Sequence, residues 1–331
     1  MIRFAILGAG RIGRLHAQTI ARHPGAEVVY VQDLNAEFAR SVAEQCGATA
    51  TSDLEAVLAA PAVDAVLIAS PTDTHVDLLL RAAKAGKAVL CEKPIDLDLA
   101  QVERCRQALE GIDSTIQIGF NRRFDPGHCA LRDAIRAGEL GNLEQLIITS
   151  RDPGLPPLSY LQHSGGIYRD MLIHDFDIAR FILDEEIVEL CAYGSALVDP
   201  AVAEAGDVDS TVVILKTASG RLCHINASRR ASYGYDQRIE ALGSKGMLLS
   251  NNRTHTALER YTEQATGMRE PLMNFFLDRY QDAFRLQMDA FVAALTQKQQ
   301  ASPSFDDGYQ AQRLAEAAYR SLTTGQSVRL D

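Results

Sequence analysis

The feature that most constrains the fold is an apolar run at residues 2–7 that leads directly into a glycine-rich segment, Gly8-Ala9-Gly10-Arg11-Ile12-Gly13. An uninterrupted apolar run is typical of a strand that is buried on both faces. Apolar residues with helical spacing follow at 14–22. A strand, a glycine-rich turn and a helix in this order predict the first unit of a doubly wound parallel sheet.

Strand-like and helix-like segments continue to alternate through about residue 120. Strands are predicted at 27–32, 64–69, 88–91 and 115–119, and helices at 35–46, 53–60, 74–85 and 98–109. Strands that alternate with helices form a parallel sheet that is covered on both faces. The sequence therefore predicts an α/β Rossmann domain over residues 1–120.

The pattern changes after about residue 120, where short turns join longer strands. Strands are predicted at 143–151, 187–195, 210–217, 222–228 and 237–242, and helices at about 166–183, 275–295 and 307–323. Strands joined by short turns pair antiparallel, so residues 121–331 are predicted to form an α+β domain with an open, mostly antiparallel sheet. The last helix is a candidate to return to the first domain. We expect the open sheet face to pair with another copy of the chain.

The composition argues against several classes of partner. The 331 residues carry a formal net charge of −10 without a long acidic run, so we expect neither a nucleic-acid partner nor a basic membrane-binding patch. We expect no membrane span, because no stretch of about 18 apolar residues occurs, and the first ten residues do not resemble a secretory signal. Six scattered cysteines are typical of a reduced, cytoplasmic protein.

The glycine-rich segment is a candidate dinucleotide site because it lies between a predicted strand and a predicted helix. Gly8 permits the tight turn, Gly10 lets the backbone approach a pyrophosphate, and Gly13 lets helix and strand pack closely. The start of the helix, at Arg11 and Ile12, is expected to offer backbone N–H groups to the phosphates. The alternative is a glycine-rich turn that binds nothing.

Asp33 ends the second predicted strand, 20 residues after Gly13. A carboxylate there accepts hydrogen bonds from the adenine-side ribose and repels a 2′-phosphate, and residues 34–36 offer no Arg or Lys to attract one. NAD is therefore favoured over NADP. The alternative is that Asp33 caps the next helix. Ser70-Pro71-Thr72 follows the next predicted strand, where a cofactor contact and a simple turn are both open.

Glu92-Lys93-Pro94 ends another predicted strand at the same edge of the sheet. A lysine there can donate to a substrate hydroxyl and supply positive charge near the oxygen as its proton leaves. We expect Glu92 and Lys93 to contact the cofactor as well. The alternative for Lys93 is a solvated surface side chain.

Asp170 and His174 form a second candidate cluster. On one continuous helix, residues four apart share a face. A histidine beside a carboxylate can remove the proton of a secondary alcohol while the carbon gives hydride to a nicotinamide. Two alternatives remain open, namely a buried histidine that Asp170 merely satisfies and a metal site built from His163, Asp170, His174 and Asp175.

These motifs together resemble the glucose-fructose oxidoreductase / inositol dehydrogenase (Gfo/Idh/MocA) family. The resemblance rests on Gly8-x-Gly10-x-x-Gly13, Glu92-Lys93-Pro94 and Asp170-x-x-x-His174-Asp175, and it spans essentially the whole chain. Further stretches, at 119–125, 150–153, 165–177 and 233–238, are similar to the bacterial inositol 2-dehydrogenase branch of that family.

The resemblance implies an activity and a set of roles. The implied reaction oxidises myo-inositol to 2-keto-myo-inositol with hydride transfer to NAD, in a homotetramer packed through its sheets. His174 would be the base, Asp170 its partner and a substrate contact, and Lys93 a substrate-positioning donor that precedes a cis peptide bond. The implied polyol pocket also contains Arg123, Asp152 and Tyr235.

Two other functions stay open. The first is a dehydrogenase for scyllo-inositol or a pyranose sugar, because Asn121 stands where relatives often have an apolar residue. The second is a non-catalytic NAD-binding regulator, a type of protein that this family also contains. A regulator is expected to have lost the lysine or the histidine, whereas this chain retains both Lys93 and His174.

Overall fold

The computed structural model describes residues 1–330. Within this range the chain forms two compact units, and each is built from two chain segments. Unit 1 contains Met1–Asn121 and Asp282–Arg313, and unit 2 contains Arg122–Gln281 and the residues from Leu314 onwards.

The strands, in chain order, are β1 Ile2–Leu7, β2 Ala26–Gln32, β3 Thr49–Thr51, β4 Ala65–Ile68, β5 Ala88–Cys91, β6 Ile116–Ile118, β7 Leu143–Arg151, β8 Ile187–Ser195, β9 Ser210–Thr217, β10 Leu222–Ser228, β11 Asp236–Gly243, β12 Gly246–Ser250, β13 Glu259–Arg260, β14 Met268–Arg269 and β15 Val328–Arg329. The helices are α1 Arg11–Ala21, α2 Ala36–Cys46, α3 Leu54–Ala59, α4 His75–Lys84, α5 Leu99–Ala108, α6 Pro126–Arg136, α7 Leu158–Leu161, α8 Gly166–Asp170, α9 Ile173–Leu183, α10 Pro200–Glu204, α11 Phe276–Arg279, α12 Gln281–Gln297 and α13 Phe305–Thr324.

Unit 1 contains a parallel sheet in the order β3-β2-β1-β4-β5-β6. The order reverses between β1 and β4, and a crevice at the carboxyl ends of two such strands is where doubly wound sheets bind ligands. Phe4 and Ile6 of β1 share an apolar core with Met288 and Phe291 of α12. This sheet confirms the predicted Rossmann fold.

Side-chain caps fix where the helices of unit 1 begin. Asn35 accepts hydrogen bonds from the first turn of α2, and Asp53 and Asp98 do the same for α3 and α5. Gly47 ends α2 in a left-handed conformation, as expected for a C-cap. The predicted helices at 35–46, 53–60 and 98–109 included these capping residues, so each prediction began one residue too early.

Unit 2 contains a sheet in the order β12-β11-β7-β10-β9-β8-β15. The pair of β10 and β7 is parallel, and the other neighbours pair antiparallel. Val213 and Leu215 of β9 face a core that includes Phe176 of α9 and Leu314 of α13. The opposite face exposes apolar side chains, namely Tyr193, Val212, Ile214, Leu222, Leu242, Met247 and Leu249. The predicted α+β class with a mostly antiparallel sheet is confirmed.

The predicted helix at 166–183 is two helices, α8 and α9, separated at Met171 and Leu172. The Leu172 N–H donates to the Ile167 carbonyl, five residues earlier, at 2.9 Å. This wider turn interrupts the helix, although the apolar spacing of the sequence continues through it. The argument that Asp170 and His174 share the face of one continuous helix was therefore wrong. The predicted helix at 275–295 is likewise divided, into α11 and α12.

The turn between β1 and α1 generates a test of stability. Gly8 has a φ of +97°, and a Cβ added at Gly13 would collide with the Gly8 carbonyl oxygen. We predict that Gly13→Ala lowers the free energy of unfolding by more than about 2 kcal/mol, because the backbone atoms cannot separate without displacing α1. Urea unfolding measures this change.

Gly10→Ala is the matched control. Gly10 has a φ of −68°, and a Cβ there would meet no atom within 4 Å. Alanine can adopt this conformation without strain, so the control is expected to unfold at the wild-type urea concentration. Equal stability of the two variants would contradict the account of the turn.

Candidate active site

The candidate residues of unit 1 begin at the turn after β1. The Gly8 backbone lies against the backbone of Ala69 and Ser70, so that the turns after β1 and β4 touch. The space beside Gly10 is open, and α1 begins at the next residue. The first N–H groups of a helix are not used within the helix, and open space in front of them suits a phosphate. The turn therefore fits the pyrophosphate of a dinucleotide.

Asp33 is held against this turn by two backbone hydrogen bonds. The Ala9 N–H donates to Oδ2 at 2.7 Å and the Asn35 N–H donates to Oδ1 at 2.8 Å. A carboxylate has about four acceptor positions, so both oxygens can still accept from ribose hydroxyls. Asn35, not Asp33, accepts the N-cap bonds of α2. The alternative that Asp33 caps this helix is therefore wrong.

Ser70-Pro71-Thr72 forms a compact turn after β4. The hydroxyls of Ser70 and Thr74 are 2.6 Å apart, and the Thr74 hydroxyl donates to the Pro71 carbonyl at 2.7 Å. The predicted turn is thus present, and it lies beside Gly8 at the edge where the dinucleotide motif is found.

Glu92-Lys93-Pro94 follows β5, the strand next to β4. The Lys93–Pro94 peptide bond is cis, as the resemblance implied. Lys93 is partly buried, and the Glu92 carboxylate lies 2.7 Å from Nε2 of His16 on α1. The segment is therefore attached to the helix that follows the glycine motif.

The candidate residues of unit 2 centre on Asp170, the last residue of α8. Its Oδ1 accepts a hydrogen bond from the Tyr160 hydroxyl at 2.8 Å, and its Oδ2 accepts from the guanidinium of Arg229 at 3.2 and 3.3 Å. Arg229 is buried and follows β10 directly. His174 lies in the first turn of α9, partly buried. A buried arginine that donates hydrogen bonds to a carboxylate fixes the orientation of that carboxylate.

Asp152 follows β7 and belongs to the same charged group. Burial raises the pKa of Asp152 to about 6, with Arg229 opposing the rise and the Asp170 carboxylate adding to it. Carboxylates with raised pKa values cluster at functional sites. The Asp152 carboxylate therefore titrates near pH 6.

Tyr235 is also buried in unit 2, where its ring meets that of Tyr280 edge-on at a centroid distance of 6.1 Å. Burial raises the pKa of the Tyr235 hydroxyl well above its ordinary value, although Arg122 opposes the rise. The hydroxyl is therefore a neutral hydrogen-bonding group.

The two arginines of the 119–125 stretch take separate partners. Arg123 donates two hydrogen bonds to Asp177, at 2.7 and 2.8 Å, in a buried ion pair. Arg122 donates to Asp175 at 2.5 Å. Burial lowers the pKa of Arg122, but Asp175 together with Tyr280, Tyr235 and Asp152 outweighs this effect and holds the pKa above its ordinary value.

Sequence reasoning missed several residues of this group, including Tyr160, Arg229 and Tyr280. Arg229 lies 59 residues from Asp170 along the chain, so local spacing could not reveal the pair. A charged residue directly after a strand, as in Ser228-Arg229-Arg230, was the available signal. Tyr160 lies in a proline-containing segment without periodicity, which gave no signal.

Comparison with known proteins identifies the family. A model described as an oxidoreductase family with an NAD-binding Rossmann fold matches residues 2–120. A companion model, the C-terminal alpha/beta domain of that family, matches residues 132–330. The chain belongs to the Gfo/Idh/MocA oxidoreductase family.

Several members of the Gfo/Idh/MocA family resemble this chain along its full length. Inositol 2-dehydrogenase of Rhizobium meliloti (strain 1021) is 46% identical over 327 residues, which cover 99% of this chain and 98% of that protein. Myo-inositol 2-dehydrogenase of Thermotoga maritima is 42% identical over 332 residues, which cover 100% of this chain and 99% of that protein. A crystal structure of a myo-inositol dehydrogenase from Corynebacterium glutamicum ATCC 13032 has a TM-score of 0.97 and is 44% identical in sequence. The match covers 100% of this chain and 99% of that one.

Two further observations concern residues 1–330 of this family member. None of the helices in that range is long and apolar enough to cross a membrane. No group of three or more His, Cys, Asp or Glu side chains in that range is arranged to hold a metal ion.

The raised pKa of Asp152 predicts a pH-dependent stability. Because the pKa is about 6 in the folded protein and near 3.9 in an unfolded chain, the folded state holds the proton more tightly. Ionisation therefore lowers stability as the pH rises from about 4 to about 6, and the loss is complete above that range. We predict that Asp152→Asn is more stable than the wild type at pH 8, by roughly 1–3 kcal/mol.

Urea unfolding at pH 8 and pH 4.5 tests this prediction, because the advantage of Asp152→Asn should shrink at the lower pH. Asp113→Asn, at an exposed position, controls for the change in net charge. A stability difference of the same size at both pH values would show that Asp152 does not titrate as described.

Proposed function

We propose that this protein is an NAD-dependent inositol 2-dehydrogenase that oxidises myo-inositol to 2-keto-myo-inositol. One observation carries the proposal. The carboxylate of Asp170, which lies four residues before His174 in the sequence, is held by buried Arg229 and by Tyr160. The full-length similarity to two inositol 2-dehydrogenases supports it.

The proposed reaction removes a proton from a ring hydroxyl and a hydride from the same carbon. His174 acts as the general base that takes the hydroxyl proton, since a neutral imidazole is an effective base near pH 7. Asp170 is proposed as the partner that orients His174 and as a substrate contact. Lys93 donates to the reacting oxygen, whose negative charge grows as its proton leaves. Bound NAD supplies the hydride acceptor.

The cofactor residues follow from the turn after β1. Backbone groups of Gly8, Gly10, Arg11, Ile12 and Gly13 are proposed to hold the pyrophosphate. Asp33 is proposed to accept from the ribose hydroxyls and to disfavour the 2′-phosphate of NADP, because its carboxylate is already fixed in place by Ala9 and Asn35. Further cofactor contacts are assigned to Ser70, Pro71, Thr72, Glu92 and Lys93.

The polyol contacts are proposed to come from Asp152, Tyr235 and Arg123. A ring that carries a hydroxyl on every carbon needs both donors and acceptors, which these side chains offer. The assignment of Arg123, which also donates two hydrogen bonds to Asp177, rests on the family resemblance.

A homotetramer packed through the open sheet of unit 2 is also proposed. The outer face of this sheet exposes large apolar side chains on five of its strands, β8, β9, β10, β11 and β12, from Tyr193 on β8 to Leu249 on β12. Exposed apolar patches of this kind are typical of protein–protein interfaces.

Initial rates of NADH formation test the substrate. We predict turnover on myo-inositol that exceeds turnover on scyllo-inositol and glucose, and higher rates with NAD than with NADP. A dominant rate on scyllo-inositol or glucose would assign a different substrate. Tight NADH binding without turnover on any of the three would instead support a non-catalytic regulator.

The role of His174 is tested by substitution. We predict that His174→Ala lowers kcat about a hundredfold or more, the usual contribution of a general base, while NADH binding measured by fluorescence stays unchanged. His163→Ala, at an exposed position, is the matched control and should keep the wild-type kcat. Wild-type turnover in His174→Ala would remove this residue from the role of base.

A further inference from the structure

The position of the Lys93 side chain depends on the backbone around it. β5 ends at Cys91, and the residues that follow lie outside regular secondary structure. A flexible side chain on a loop is positioned only as well as its neighbours are held. The contacts of Glu92 and Pro94, on either side of Lys93, therefore fix the backbone from which its side chain extends.

His16 holds the residue before Lys93. It is fully buried on α1, with Nε2 2.7 Å from Oε1 of Glu92. Its ring packs edge-on against Phe284 at a centroid distance of 5.5 Å. Gly119 closes the other side, since a Cβ there would lie 2.8 Å from the Glu92 carboxyl carbon. The Glu92 side chain is thus confined between α1 and the residue that follows β6.

His75 holds the residue after Lys93. It is buried at the start of α4, with Nδ1 2.8 Å from the Pro94 carbonyl oxygen and Nε2 2.9 Å from the Ser70 carbonyl oxygen. Carbonyl oxygens only accept hydrogen bonds, and a neutral imidazole has one N–H, which donates to one of these two carbonyls while the other lies against the second ring nitrogen. The ring therefore ties the turn after β5 to the turn after β4.

The two contacts contribute differently to stability and to positioning. A single hydrogen bond to a buried group makes only a modest net contribution to folding. A displacement of about 1 Å in a reacting group can reduce the rate about a hundredfold. Contacts that fix both neighbours of one lysine are therefore expected to matter more for turnover than for folding.

We propose that His16 and His75, the histidine pair, position Lys93 for catalysis by fixing Glu92 on one side and Pro94 on the other. The proposal rests on the function proposed above, in which Lys93 donates to the substrate hydroxyl. The histidine pair takes no part in the chemistry itself and acts through Lys93.

A double-mutant cycle measures this dependence. His16→Ala and His75→Ala are made alone and together with Lys93→Ala, and kcat/KM is measured on the polyol that gives the highest rate. Each histidine variant alone should lose at least about tenfold in kcat/KM. In the Lys93→Ala background the same change should cost less than about twofold, because the group it positions is already gone.

Two further variants separate positioning from folding. His16→Gln and His75→Asn keep a side-chain N–H donor and should recover most of the lost kcat/KM. His23→Ala is the matched control, because His23 is a partly buried histidine of unit 1 that accepts from the Gly25 N–H rather than contacting the segment around Lys93. It should leave kcat/KM unchanged.

Hydrogen–deuterium exchange of the cofactor-free protein tests the pair independently of turnover. The peptide covering residues 92–98 should exchange faster in His16→Ala, His75→Ala, His16→Gln and His75→Asn than in the wild type, with the smaller increases in the Gln and Asn variants. His23→Ala and Lys93→Ala should match the wild type. If the wild type oxidises none of the polyols, the proposed function fails, and the exchange still decides on the histidine pair.

Two results would overturn the proposal. One is that either histidine substitution lowers kcat/KM by the same factor in the Lys93→Ala background as in the wild type. The other is wild-type exchange over residues 92–98 in the alanine variants of the pair.

Discussion

The backbone of Gly13 packs so closely against the Gly8 carbonyl that no side chain fits between them. This contact joins β1 to α1, and the end of β2 fixes the same turn. The Gly8 N–H donates to the carbonyl of Gln32 on β2 at 2.9 Å, and the Ala9 N–H donates to Asp33. The start of α1 and the Asp33 carboxylate thus have a fixed relative position, which a dinucleotide requires because its pyrophosphate and ribose must be bound together.

Unit 2 depends on a different constraint, the pairing of buried charges. An isolated buried charge is costly, and a paired one is tolerated when hydrogen bonds satisfy it. Buried or partly buried aspartates of this unit lie against arginines in several pairs, among them Asp125–Arg279, Asp170–Arg229, Asp175–Arg122, Asp177–Arg123 and Asp236–Arg238. Arg229 and Arg122 both lower the pKa of Asp152 through their positive charge, but burial still raises it to about 6. A polar interior of this kind is costly for folding but well suited to binding a polyhydroxylated ring.

The sequence was sufficient to predict most of the fold because hydrophobic periodicity is a local signal. The strands at 143–151, 187–195, 210–217 and 222–228 have the predicted bounds, since alternation marks one buried face. The short strand β3 was missed because three residues, mostly exposed, carry no such signal. The break at Met171 was missed because apolar spacing continues through it.

The candidate site was less predictable, since its contacts join residues that are distant in sequence. Motif spacing singled out Asp33, Lys93, Asp170 and His174 as candidates. It could not show that Arg229 binds Asp170 or that Arg123 binds Asp177. The helix-face argument for Asp170 and His174 failed because it assumed one uninterrupted helix. Ion pairs between separate elements form only when the chain is folded, and no window of sequence contains both partners.

The central claim is that hydride passes from a ring carbon of myo-inositol to NAD. The most direct measurement follows deuterium from myo-inositol labelled at C2, by NMR of the nicotinamide after turnover in ordinary water. The account predicts deuterium at C4 of the reduced nicotinamide and an equal amount of 2-keto-myo-inositol. Reduced cofactor without the label, or no reduced cofactor at all, would contradict it.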